Sequence, residues 1–121
     1  MIEQTVVTVL TANAPVQAIV GNKIFPIVMP EGESVPALVY QKVGTDVINS
    51  LDGYSGLESI RLQFSCYAAT LLAAKQLAQS VSAALDGSAM LKCTRTMEMD
   101  DQDPETKNFR VIVDFNIWQR S

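Results

Sequence analysis

Three groups of residues in this chain have types and spacing that could do chemistry. Gly53-Tyr54-Ser55-Gly56 sets a serine between glycines, as at a nucleophile elbow, where a strained turn lifts the hydroxyl toward a base. The second glycine falls one place early, and the chain has no histidine to take the proton. The string therefore reads as a turn. Asp100, Asp101, Asp103 and Glu105 put carboxylates at near-alternate positions, as a hard cation would require. Thr106 stands where an EF-hand loop needs glycine, and no bidentate glutamate follows at the right distance, so this run reads as a solvated turn. Cys66 and Cys93 each lie in a strand-like run with no CxxC partner, and they read as buried free thiols. Neither GxGxxG nor GxxxxGK occurs, which leaves no phosphate-binding loop. The expectation is a protein without catalytic residues, metal or cofactor.

Composition fits one globular domain over residues 1–121. Of the 121 residues 48% are hydrophobic and 18% charged, enough apolar content for a core that folds without a metal or disulfide. The net charge is -4 and the nine Lys and Arg are scattered, which argues against sequence-specific nucleic-acid binding because phosphate attraction needs clustered cations. Met1-Ile2-Glu3-Gln4 has no basic leader character, and no apolar run approaches the roughly 18 residues that span a bilayer. A chain made in the cytosol, held there until assembled and with no membrane partner is expected.

Those residues must be positioned by a small set of elements. Ile2 to Ala12 places Val6, Val9 and Leu10 at helical spacing, Asn13-Ala14-Pro15 interrupts it, and Val16 to Val20 is a second short helix stopped at Gly21-Asn22. Ile24 to Val28 reads as a brief edge strand bent at Pro26, followed by a polar loop from Pro30 to Pro36. Ala37 to Val43 pairs with Arg61 to Tyr67, whose Ile60, Leu62, Phe64 and Cys66 alternate with polar residues. Between them Gly44 to Gly56 is either a long loop or an extended hairpin arm.

Thr70 is placed to cap a helix running to about Asp86 and stopped by Gly87, with Leu71, Ala74, Ala78, Val81 and Leu85 as its apolar stripe and Lys75, Gln79, Ser82 and Asp86 off it. A last hairpin runs from Leu91 to Met99, through an acidic turn Asp100-Asp101-Gln102-Asp103-Pro104, and back from Asn108 to Gln119. Phe109, Val111, Val113, Phe115 and Ile117 share one face of its second strand, against Arg110, Ile112, Asp114, Asn116 and Trp118. The order is α-α-β-β-β-α-β-β, an α+β class with a mainly antiparallel sheet of four to five strands packed by one long helix, plus short N-terminal helices. One long helix covers one face. The side bearing Ile112 and Trp118 must be covered by the N-terminal segment or by a neighbouring subunit.

The short N-terminal helix pair, the Gly21-Asn22-Lys23-Ile24-Phe25 strand entry, Val35-Pro36-Ala37-Leu38-Val39-Tyr40, the Ile60-to-Tyr67 strand and the helix ending in Ala83-Ala84-Leu85-Asp86-Gly87 together resemble the tail-completion family of siphophages. The acidic hairpin and the Phe109-to-Trp118 strand fit its C-terminal half, so the resemblance spans nearly the whole chain. It implies a structural subunit that joins copies of itself, commonly as a hexameric ring, at the head-proximal end of a tail. There it ends tube growth and joins tail to head. The implied partners are the tail-tube protein and head-tail connector proteins, and the implied location is the host cytoplasm during assembly and then the virion.

The family brings no catalytic residues with it. From exposure and loop character alone, Asp46, Asn49, Tyr54, Asp100, Asp101, Asp103 and Trp118 are the expected partner contacts. Two other classes fit the same sequence: a different head-tail adaptor or tube component, and a small-ligand-binding or regulatory domain with a pocket and no ring.

Overall fold

In the computed structural model, residues 2–29, 32, 34–50, 53–86, 92–104 and 107–120 are described, with the backbone alone for 2, 45–50, 53–58, 92, 119 and 120. Helix α1 (Ile2–Ala12) buries Val6 and Leu10, one turn apart on the same stripe, while Val9 is only partly covered. It stops where Asn13 turns to extended backbone and caps α2 (Ala14–Val20), its side-chain oxygen accepting from the Val16 N–H at 3.2 Å. A cap of this kind contributes about 1 kcal/mol. Gly21, at φ 58, closes α2 by donating its N–H to the Gln17 carbonyl, a backbone position that glycine reaches without steric cost.

Five strands follow the expected order: β1 (Ile24–Pro26), β2 (Ala37–Ser50), β3 (Gly53–Ala68), β4 (Lys92–Gln102) and β5 (Phe109–Arg120), with α3 (Leu71–Asp86) between β3 and β4. The sheet order is β1-β2-β3-β5-β4. Every pairing is antiparallel except β1 on β2, which is parallel. The stretch from Gly44 to Gly56 is resolved between its two alternatives: β2 and β3 stay paired as far as Ser50 and Gly53, so it is a hairpin arm and not a loop.

Thr70 caps α3 as its sequence position predicts, its hydroxyl accepting from the Ala73 N–H at 3.1 Å. The predicted stop at Gly87 lies outside the described residues, as does the strand start at Leu91. The apolar stripe of α3 needs correction. Ala74, Ala78, Val81 and Leu85 are buried together with Leu77, Ala84 and Ser82, whereas Leu71 is exposed in the first turn, beyond the packed stretch. Burying Ser82 leaves its hydroxyl without a hydrogen-bond partner among the described residues.

The core lies between the helical layer and one sheet face. Val6, Leu10, Val16 and Val20 join the α3 residues in one cluster with Leu38, Ile60, Leu62, Phe64, Cys66, Val111, Val113, Phe115 and Ile117. Phe64 and Phe115 meet edge to face, with ring centroids 5.7 Å apart at 79°, a diagonal cross-strand contact that contributes about 1 kcal/mol beyond area burial. Because α1, α2 and α3 share that cluster, they lie on the same side of the sheet. Among the described residues no helix covers the opposite face, so the N-terminal helices are not the cover for Ile112 and Trp118. Ile112, opposite Met99 on β4 and Ser65 on β3, is nonetheless buried.

Candidate functional site

The residues expected to make contacts separate into two groups at opposite ends of the strands. At one end is the arm: Asn49 pairs with Tyr54 beside the hairpin tip, and Asp46, Ser59 and Trp118 form one row across β2, β3 and β5. The backbone places Asp46, Asn49 and Tyr54 there, and their side chains lie outside the described residues. Trp118 is 38% exposed. At the other end Tyr67, Arg110 and Asp101 form the matching row across β3, β5 and β4. The two rows are eight residues apart along β3, roughly 26 Å at strand rise.

The acidic group is more ordered than a solvated turn, and its position is corrected accordingly. β4 extends through Gln102, so Asp100 and Asp101 are strand residues, and the turn itself begins at Asp103, where the Lys107 N–H donates to the Asp103 carbonyl and the Asp103 N–H donates to the Asn108 carbonyl. Glu105 and Thr106 lie outside the described residues. Alternation sends the two carboxylates to opposite faces. Asp100 pairs with Lys75 of α3 at 3.0 Å, and Asp101 accepts from Arg110 at 2.6 Å and from the Gln102 N–H at 2.8 Å. Those hydrogen bonds, the Arg110 one first, hold the Asp101 carboxyl below the usual carboxylate range. The Arg110 guanidinium also lies 5.9 Å from the Tyr67 ring centroid. With Asp103 and Pro104 these residues line a notch of about 200 Å³.

On the uncovered sheet face Arg61 stands 3.9 Å from Asp114, and Asp114 Oδ1 and Asn116 Oδ1 have no partner among the described residues. A second surface was not foreseen from the sequence. At the β1 edge Ile27 and Val28 are 70% and 68% exposed. Beside them Glu3, Pro26, Ile27, Tyr40, Gln41 and Lys42 line a largely apolar socket of about 350 Å³. Ile27 sits at φ 68, a left-handed backbone that is costly for a β-branched residue. Its N–H is held by the Tyr40 carbonyl at 2.8 Å. A patterned strand signal ending at Val28 concealed this kink.

Cys66 is buried and Cys93 is half-buried, both unpaired, so the expectation of buried thiols applies fully to the first alone. Burial, and secondarily the charge of Glu98, pushes the Cys66 thiol far up; burial, then Asp86, pushes Cys93 up to about 11. Neither is poised as a nucleophile. Among the described residues no three His, Cys, Asp or Glu side chains are grouped to hold a metal ion, and no helix is long and apolar enough to cross a membrane.

Residues 4–120 match the family described as tail completion protein gp17. The chain belongs to that tail-completion family. The resemblance drawn from the short strings of the sequence thus holds over nearly the full length. The fold of this tail-completion chain is also similar to that of a chain in the solved virion of a native gene transfer agent (GTA) particle, with a TM-score of 0.66 and 19% identity over 96% of this chain and 92% of that one. No curated protein sequence matches it.

Proposed function

We propose that this tail-completion protein assembles as a ring at the head-proximal end of a phage tail, ends growth of the tail tube there and joins the tail to the head. The observation that carries the reading is the family match over residues 4–120. The fold supports it. A subunit in such a joint must present one set of contacts toward the tube and another toward the head, and the β2–β3 arm and the β4–β5 turn stand at opposite ends of one sheet. Asp46, Asn49, Tyr54 and Trp118 serve one rim and Asp100, Asp101 and Asp103 the other, with the tail-tube protein and head-tail connector proteins as partners. Assembly takes place in the host cytoplasm and the product is part of the virion. The chemistry of the chain is that of contacts, with no bond made or broken.

The test is to delete the coding sequence from the phage or prophage that carries it and image the particles. Tails of uncontrolled length beside unjoined heads are expected, with both corrected by supplying the chain from a plasmid. Tails of normal length joined to heads would overturn the reading.

A further inference from the structure

We infer that copies of this chain join head to tail, the β4 edge of one copy seating Met97 and Met99 against Ile27, Val28 and the β1-edge socket of the next, with Lys42 facing Glu98 of β4. The inference rests on the ring reading and supplies its interface.

Four observations meet here. The order β1-β2-β3-β5-β4 makes β1 and β4 the two edges of one sheet, so a patch on each lies on opposite sides of the subunit. Each edge carries exposed large apolar side chains: Ile27 and Val28 on one, and Met97 and Met99, 39% and 49% exposed, on the other. Methionine is flexible and polarizable, and fits irregular sockets well. One charge pair is complementary: Glu98 follows Met97 in β4 and Lys42 lines the socket beside Glu3, whereas Asp100 and Asp101 are already engaged by Lys75 and Arg110. Finally, the left-handed backbone at Ile27, fixed by its N–H on the Tyr40 carbonyl, leaves the isoleucine side chain 70% exposed at this edge.

The second copy is the occupant because both halves of the contact belong to this one chain. Two different patches on opposite edges give a heterologous contact, which repeats from copy to copy and closes into a ring when the rotation between copies allows it. The two edges would not satisfy each other within a monomer. A bulge between Arg95 and Met97 breaks the ladder register of β4, and Pro26 has no N–H to donate, so side chains and not a continuous backbone ladder carry the joint.

The test uses the whole chain in three forms, wild type, Val28→Asp and Met99→Lys, each checked for folding by circular dichroism and studied by sedimentation across concentration. Each variant is expected to raise the concentration for half-assembly about tenfold or more, the scale of one central interface residue. An equimolar mixture of the two variants is expected to form 1:1 heterodimers, since it contains one intact pair of edges. Lys42→Glu and Glu98→Lys should each weaken assembly, and their combination in one chain should restore it. Folded variants that assemble like wild type, or a mixture that stays monomeric, would overturn the inference while leaving the ring reading to the deletion phenotype. Wild type that is monomeric throughout would overturn it as well, and so would assembly lost with Met99→Lys but untouched by Val28→Asp, which would signal contact between two β4 edges.

Discussion

Arg110 and Asp101 occupy directly opposed positions on β5 and β4, and the guanidinium donates to the carboxylate at 2.6 Å. The pair closes the end of the sheet next to the turn and gives that end a pH-dependent element. Because the Asp101 pKa is lowered in the folded state, its contribution to stability is present above the unfolded carboxylate value and is lost as pH falls through the lowered one. Asp101→Asn should therefore lower the thermal midpoint slightly at pH 7, and the difference from wild type should shrink as pH falls below the ordinary carboxylate value. A drop of equal size at every pH would mean that the residue acts through packing and not through charge. The carboxylate is exposed, so the effect is small.

The thiols should titrate in the opposite sense. Both are raised above 9.0 in the fold, so between that value and their folded values the unfolded chain loses protons that the folded chain keeps, and stability falls as pH rises above about 9. Cys66→Ala should flatten that alkaline decline and cost about 1 kcal/mol at pH 7, the scale for losing a buried group of methyl size. A disulfide reagent should label Cys93 slowly in the native protein and Cys66 only in denaturant. Rapid native labelling of both would contradict the burial described.

Ala78 lies within the sheet-facing stripe of α3 and Gln79 on its exposed side. Ala78→Asp places a carboxylate in the core at a cost of several kcal/mol and should abolish folding. Gln79→Asp in the next position should leave the protein folded. Circular dichroism on the two variants distinguishes them, and a soluble, folded Ala78→Asp protein would place the helix face wrongly.

Shortening the arm between Gly44 and Gly56 by matched pairs of residues should leave the thermal midpoint nearly unchanged, because the core cluster ends at Ile60 on β3. Changing Asp100, Asp101 and Asp103 together to Asn should lower it by little, since the Lys75 and Arg110 ion pairs are exposed and screened by solvent. Both changes should reduce the yield of head-joined, infectious particles. Variants that unfold, or that assemble at full yield, would make these segments plain connectors.

Strong local signals made much of this fold legible in the sequence. Asn13 before Pro15, Gly21 after Val20 and Thr70 before the alanine-rich helix each supply a cap with its own hydrogen bond, and the alternation from Ile60 to Tyr67 and from Phe109 to Trp118 fixes which residues enter the core. What escaped depends on neighbours distant in sequence. Asp100 and Asp101 read as turn residues because aspartate is common in turns, yet Lys75 and Arg110 hold them in a strand. Ile27 and Val28 look like strand residues because they are apolar and β-branched, and only the parallel pairing of β1 on β2 shows them at an exposed edge. Leu71 looked like core because it is apolar and at the right spacing, but the first turn of α3 extends past the packed cluster.

Where this chain sits in the particle separates a head-tail joint from a tube component, and purified tails labelled with an antibody to the chain and imaged by electron microscopy show it. Label confined to the head-proximal end of each tail, in several copies per tail, is expected; label along the tube, at the distal tip or nowhere on the tail would overturn that placement.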